Sequence, residues 1–232
     1  MSSLLPTNTH VESEKPKPPK YGRLFAAHSS KLWWILSTLA AEVAFLLLSE
    51  TLIIVDSSLG MAALGILTGG IAGLIGGMGQ RLALRNKVPS AKGWVWATAL
   101  GWTLKGATIY PLFNVLYSTS ESIFGSRSDF STGYLDELVI YAIVGLITGL
   151  EIGLGQWLVL RSLTGRAWIW PIVSALAYLL GFALSSALAH TIAPILAGAI
   201  HDFTILQISL AGGIAGIVTY ISLANYLAWA NE

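Results

Sequence analysis

Three charged side chains lie inside long apolar stretches of this sequence and are the residues best placed for chemistry: Glu42, Lys105 and Glu151. A charge at the centre of a bilayer costs about 2.5–3.5 kcal/mol on insertion scales, so each needs a partner. Each lies eight to eleven residues from the tryptophan or arginine that marks one end of its stretch. At about 1.5 Å per helical residue, all three are roughly 12–17 Å deep, near the midplane. We predict that Lys105 pairs with Glu42, Glu151 or both inside a helical bundle.

This intramembrane charge group allows two kinds of role. A static ion pair would only hold helices together. A group with two acids and one base instead leaves one carboxyl over, which is a candidate site for a proton, an ion or a ligand. Both interpretations stay open.

Sequence signatures of enzymes are missing. The chain has no P-loop, GxSxG or HExxH pattern, and without cysteine it has no thiolate metal site and no cysteine nucleophile. Basic residues lie beside apolar stretches rather than in a nucleic-acid-binding stripe. Acidic and histidine residues near the predicted outer helix ends lack metal-ligand spacing: Glu50, Asp56, His190, His201 and Asp202. We expect no catalytic activity, no metal site and no nucleic-acid partner, and the sequence identifies no cofactor.

Composition assigns the fold class. The 232 residues are 54% hydrophobic and 11% charged, against roughly 25% charged in a soluble domain. Crossing ~30 Å of hydrocarbon takes ~20 residues, and a helix satisfies its own backbone groups in lipid. We predict an all-α polytopic membrane protein with six transmembrane helices at about 33–55, 60–84, 94–117, 138–160, 168–192 and 205–229.

Charge distribution predicts the orientation. Lysine and arginine lie mainly before the first predicted helix and in the connections after the second and fourth. The positive-inside rule then places both termini in the cytoplasm. Residues 1–31 are rich in proline and polar residues, which predicts a disordered tail and interfacial segment ahead of a transmembrane domain at 32–232. The long connection 118–136 could form an interfacial helix or cover the outer mouth.

Glycine recurs every fourth residue in three predicted helices. These positions are Gly69, Gly73 and Gly77, then Gly145, Gly149 and Gly153, and a shorter third stripe of Gly212 and Gly216. Such a glycine zipper gives a helix one bare edge, where another backbone can approach closely. We expect helix packing, or a surface for a partner protein, lipid or pigment, with the third stripe the better candidate for such a surface.

Polar and aromatic residues follow the same spacing as the glycines. An offset of 76 residues relates two inner-end pairs, Gln80 with Arg85 and Gln156 with Arg161. We expect each glutamine to hydrogen-bond a neighbouring helix and each arginine to reach lipid phosphates. Tryptophans at the starts of alternate helices are expected to form an interfacial aromatic belt: Trp33, Trp34, Trp94, Trp96, Trp168 and Trp170.

A tryptophan-started helix followed by a glycine-striped helix forms a unit that occurs three times. The units lie at about 33–85, 94–161 and 168–229. Because each contains two crossings, all three have the same orientation. This predicts parallel repeats about an axis along the membrane normal.

The repeated pattern GxxxGxxxGxGQxxxLR at 69–85 and 145–161 resembles that of uncharacterised bacterial multi-pass membrane proteins with tandem copies of this unit. The resemblance covers about 33–229 and departs at Leu223, which replaces the glutamine. That class is common in photosynthetic bacteria, which implies a bacterial cytoplasmic membrane or an internal photosynthetic membrane. A looser resemblance, to substrate-binding subunits of vitamin importers, includes the small residues Ala40 and Ala44.

Two functions are consistent with these patterns. The first is non-catalytic binding of a partner membrane protein, or of a lipid or hydrophobic ligand, through the glycine-striped helices in the bilayer. The alternative is a membrane transport component, either a substrate-binding subunit or a small transporter, that uses the midplane glutamate and lysine group. Tolerance of Glu151→Gln would favour the first, and loss of uptake in that variant the second.

Overall fold

The computed structural model describes residues 28–52, 58–85, 91–124, 130–196 and 203–229. They form six α-helices: α1 His28–Leu52, α2 Ser58–Leu84, α3 Ala91–Phe124, α4 Phe130–Leu160, α5 Ile169–Leu196 and α6 Phe203–Trp229. The described residues contain no β-strand. The all-α prediction is confirmed.

Five of the six helices are long and apolar enough to cross a membrane. Their apolar segments are Ser30–Glu50, Gly60–Leu84, Asp136–Leu160, Ile169–Ile192 and Leu206–Asn225. Helix α3 is the longest, at 34 residues, but Lys105, Asn114 and several hydroxyl side chains lower its apolar content. Those polar groups need partners inside the bundle if α3 is to lie among apolar neighbours.

The structure moves several predicted boundaries. Residues 118–124 continue α3 and residues 130–136 begin α4, so the predicted connection 118–136 is limited to residues 125–129. Residues 28–31 begin α1 instead of ending the predicted tail. The rest of that tail, and Asp56, His201 and Asp202, lie outside the described residues.

The helices form a closed ring in chain order. Each packs against the helix before it and the helix after it, and α6 packs against α1. Odd-numbered helices begin, and even-numbered helices end, where Trp34, Trp94 and Trp170 share one buried cluster with Leu84 and Leu160. We call this the tryptophan end of the bundle and the other the opposite end.

Aromatic side chains fill much of the space enclosed by the six helices. At the tryptophan end the Trp34 and Trp94 ring centroids are 5.7 Å apart. Further along, a second buried cluster includes Phe45, Trp102 and Tyr178, with the Phe45 and Trp102 centroids 6.2 Å apart. Buried polar residues lie within and between these clusters, and they make up the candidate site.

The glycine edges pack against neighbouring helices of the same chain. A Cβ at Gly73 on α2 would lie 2.6 Å from Trp102 Cβ on α3, and one at Gly149 on α4 would lie 2.7 Å from Ala175 Cα on α5. Backbones this close leave no room for a larger residue. The other edge glycines face the same helices or, on α6, face α1: Gly69, Gly77, Gly145, Gly153, Gly212 and Gly216. The third stripe, which was the better candidate for a partner surface if any stripe formed one, is covered by α1.

Candidate functional site

Two buried glutamines link five helices near the tryptophan end. Gln80 accepts a hydrogen bond from Trp94 Nε1 at 2.9 Å and donates one to Thr38 Oγ1 at 3.1 Å. Gln156 accepts one from Trp170 Nε1, also at 2.9 Å, and donates to Gln80 Oε1 at 3.1 Å. The glutamines thus bond to neighbouring helices and to each other.

The third unit has no glutamine at the corresponding position, and the side chains around that position bond differently from those around Gln80 and Gln156. Leu223 is buried at the corresponding position. Ser174 Oγ, which is also buried, has no hydrogen-bond partner, and Trp34 Nε1 donates instead to Thr219 Oγ1 at 3.1 Å. Where the sequence pattern would place a third amide, the structure therefore has a buried leucine, a buried hydroxyl without a partner and an indole bonded to a threonine.

Three of the six tryptophans expected in an interfacial belt lie inside the bundle. Trp34, Trp94 and Trp170 are only 1%, 0% and 1% exposed, so the belt interpretation is wrong for them. Their indole N–H groups have buried acceptors, which stabilises a tryptophan away from the interface. The exposed ones are Trp33, Trp96 and Trp168.

Substituting Gln156→Leu should lower the free energy of unfolding by about 1–3 kcal/mol. The change leaves the Trp170 N–H buried without an acceptor, and unsatisfied buried groups carry a cost of this size. Thermal unfolding of the purified protein in detergent measures it. Leu223→Gln is the matched variant, and should be neutral or stabilising because Ser174 Oγ gains a partner. Equal destabilisation by both changes would contradict this account.

A fully buried ion pair lies deeper in the bundle. Lys105 Nζ on α3 is 2.6 Å from Glu42 Oε2 on α1, and both side chains are at most 1% exposed. The ammonium also lies over two aromatic rings, 4.0 Å from the Trp102 centroid and 4.7 Å from the Phe45 centroid. Carboxylate and π-faces together surround the charge, and this arrangement compensates for its lost hydration.

Glu151 is not part of this ion pair. Its Oε1 instead accepts a hydrogen bond from Thr108 Oγ1 at 2.7 Å, and its Oε2 has no hydrogen-bond partner. Of the two acids that the sequence offered to Lys105, the structure places only Glu42 within ion-pair distance.

A cavity of about 170 Å³ extends from the ion pair toward the opposite end. Five aromatic side chains line it: Phe45, Tyr110, Phe113, Tyr141 and Phe182. Glu42 and Lys105 line its deep part, and the exposed Glu50 lies two helical turns further along α1. Glu42 Oε1 is buried without a hydrogen-bond partner. The lining of the cavity is therefore mostly apolar, and one of its residues carries a carboxylate oxygen without a hydrogen-bond partner.

The two predicted inner-end arginines lie away from the cavity. Arg85 and Arg161 are exposed at the tryptophan end, and the Arg161 guanidinium lies 5.3 Å from the Trp157 ring centroid. An exposed cation beside an aromatic ring at a helix end is typical of the membrane interface.

Sequence reasoning missed three features of the described part of the chain. One is the cavity itself. The second is a contact between α5 and α4 near the opposite end, where His190 Nε2 lies 3.3 Å from Glu137 Oε2. The third is an open groove of about 520 Å³ between the outer faces of α2 and α3, whose lining includes Gly70 and Trp96. Among the described residues, no three histidine or acidic side chains come together as metal ligands.

The chain matches no protein-family model, no curated protein and no solved structure.

Proposed function

We propose that this chain is a non-enzymatic integral membrane protein that holds a small hydrophobic molecule in the aromatic cavity beside the Lys105–Glu42 pair. The observation that carries the proposal is the coincidence, at one place, of a cavity of about 170 Å³, aromatic walls and a buried carboxylate oxygen without a partner. Mostly apolar cavities with a few convergent polar groups are the usual ligand sites of proteins.

The proposal includes six transmembrane helices in three parallel hairpins. Support for a sixth crossing comes from α3, which packs between α2 and α4 and has its lysine paired inside the bundle. Support for the repeat comes from the equal 2.9 Å hydrogen bonds of Trp94 with Gln80 and of Trp170 with Gln156, related by the 76-residue offset. The exposed arginines at the tryptophan end support a cytoplasmic location for that end and for both termini.

Cysteine labelling tests this topology in a chain that has no cysteine of its own. A membrane-impermeant maleimide should label Ser118→Cys, near the end of α3, in intact cells. It should label Arg85→Cys, just after α2, only after the membrane is permeabilised. The cysteine-free protein is the control. Labelling of both positions from the same side would show that α3 does not cross.

The cavity replaces the glycine edges as the proposed binding site. Those edges are covered by neighbouring helices, whereas the cavity is lined by α1, α3, α4, α5 and α6 and is unfilled by side chains. The groove between α2 and α3 stays available to lipid, since its walls are apolar and open to the outside. By its sequence resemblance we place the protein in a bacterial cytoplasmic or photosynthetic membrane.

Mass spectrometry of extracts from protein purified in mild detergent tests the binding function. A small molecule should be enriched with the unaltered protein and lost from Ser49→Leu, which replaces a hydroxyl group at the cavity wall with a bulkier isopropyl group. Gly70→Leu is the matched control, since it fills the α2–α3 groove and should retain the molecule. Equal recovery from Ser49→Leu would contradict binding in the cavity, and recovery of a membrane protein instead would favour the partner-binding alternative.

A transport component is the second candidate function. It is favoured by two carboxylates that each have one oxygen without a hydrogen-bond partner, Glu42 in the cavity and Glu151 on α4. Such groups at mid-depth are suited to passing a proton or a cation. Loss of ion-dependent uptake in proteoliposomes carrying Glu151→Gln would support transport, and unchanged ligand retention in that variant would support binding alone.

A further inference from the structure

We infer that the cavity binds a small organic cation, with an ammonium group on a single aromatic ring or a short alkyl body. This inference rests on the proposed binding function and adds to it the chemical class of the ligand. The charges, the walls and the size of the cavity each point to this class.

The charges of the cavity favour a cation. Among the described residues that line it, Glu42 and Glu50 are acidic and Lys105 is basic, so the carboxylates exceed the ammonium by one. Glu42 Oε1 is also the buried acceptor without a partner. An N–H donor carried by a cation would satisfy this oxygen and balance the excess negative charge.

An anion finds no corresponding site. The Lys105 ammonium is already bound to Glu42 Oε2 at 2.6 Å and lies on the faces of Trp102 and Phe45. An anionic ligand would have to displace that carboxylate and would then lie near a second one, Glu50, toward the mouth.

The walls also suit a positive charge. Phe45, Tyr110, Phe113, Tyr141 and Phe182 line the cavity, and several of these rings are stacked, with Phe45 and Tyr110 centroids 6.4 Å apart and Tyr141 and Phe182 centroids 6.3 Å apart. Aromatic faces attract ammonium groups, most strongly where water is excluded. The lysine already present over Phe45 shows that this wall accepts a cation.

Size restricts the ligand to one ring or its equivalent. An apolar protein cavity of about 150 Å³ holds one benzene molecule, and this cavity measures about 170 Å³. Access is from the opposite end, because the lining passes from the buried Glu42 to the exposed Glu50 on the same helix.

Three probes of similar shape test the inference: benzylammonium, benzyl alcohol and benzoate. Isothermal titration calorimetry of the full-length protein in detergent micelles, with protein-free micelles as the blank, measures their binding. Benzylammonium should bind saturably, with one molecule per chain and at least tenfold tighter than benzyl alcohol. Benzoate should not saturate.

Two variants test whether the Glu42 carboxylate causes the preference for benzylammonium over benzyl alcohol. Glu42→Gln/Lys105→Met removes both charges together and keeps an amide oxygen in place of the carboxylate. The double variant should retain benzyl alcohol and bind benzylammonium more weakly than the unaltered protein does, because the charged acceptor at Glu42 Oε1 is lost while Glu50 still leaves one negative charge in excess. Glu151→Gln, which changes a carboxylate outside the cavity lining, should keep the preference.

The possible outcomes distinguish a failure of the cation preference from a failure of the proposed binding function on which it rests. Equal binding of benzylammonium and benzyl alcohol, with both lost in Ser49→Leu, would overturn the cation preference and leave the cavity as a ligand site. Tighter binding of benzoate would also overturn the preference. Absence of saturable binding by all three probes would overturn the inference, and unchanged recovery of a co-purified molecule from Ser49→Leu would overturn the binding function. If the double variant does not fold, the relative affinities of the unaltered protein for the three probes still test the inference.

Discussion

Glu42→Leu alone should destabilise the bundle by about 3–5 kcal/mol, the cost of leaving one member of a buried ion pair without its partner. Lys105 has no exposed surface, and its ammonium would keep only the two aromatic faces as partners. We expect a large fall in the yield of folded protein and in the unfolding temperature, measured by circular dichroism in detergent.

The double variant Glu42→Leu/Lys105→Met is the control for this prediction. Replacing a buried pair by apolar residues of similar volume is often neutral or stabilising, because neither charge then loses its hydration. The double variant should therefore regain most of the stability lost in Glu42→Leu. If the double variant is as unstable as the single one, the loss comes from altered packing near α1, and the ion pair is not its cause.

The depth of each charged residue along its helix could be predicted from the sequence, but the direction in which its side chain points around the helix axis could not. Counting residues from the helix ends brought Glu42, Lys105 and Glu151 to the same level. Which acid meets the lysine depends on the rotation of α1 and α4 about their axes, and that rotation is set by packing between distant segments. The glycine spacing on α4 predicts which edge of the helix packs closely, but it does not predict toward which neighbouring residues the Glu151 side chain points.

The tryptophans show why composition near a helix end can mislead. Trp33 and Trp34 are adjacent, yet the first is half exposed and the second is buried at 1%. Residues one position apart on a helix point in directions about 100° apart, so one can lie at the interface and the other inside. The buried indoles differ from the exposed ones by their glutamine and threonine acceptors, and those acceptors come from other helices.

The cavity had no signal in the sequence at all. Its walls come from five helices, and each aromatic residue read singly is typical of a membrane helix core. Only the substitution of Leu223 for the repeated glutamine was visible beforehand, and its effects on Ser174 and Trp34 needed the packed structure.

The second large effect is expected where α2 and α3 pack closely. Gly73→Val should destabilise the protein by about 3 kcal/mol or more, which is at the upper end of the costs of overpacking. Even one added carbon at Gly73 would lie 2.6 Å from Trp102 Cβ and 2.7 Å from Ala99 Cα. Both neighbours belong to α3, and the backbone carbon of Ala99 cannot move by a rotamer change. The two helices would have to separate, which would shift Trp102 and with it the ring that lies 4.0 Å from the Lys105 ammonium.

Gly70→Ala, one turn earlier on the same helix, distinguishes a loss of close approach from a general effect of changing a glycine. A Cβ there meets Thr103 Oγ1 at 3.4 Å, an ordinary contact, and alanine favours a helix interior over glycine by about 1 kcal/mol. Thermal unfolding should therefore show Gly70→Ala unchanged or slightly stabilised and Gly73→Ala lower by about 1–3 kcal/mol, with Gly73→Val lower still. Because α3 carries four of the cavity-lining residues, Lys105 among them, benzylammonium binding should weaken in Gly73→Ala and persist in Gly70→Ala. A Gly73→Val protein as stable as the unaltered one would mean that α2 and α3 do not pack in this way.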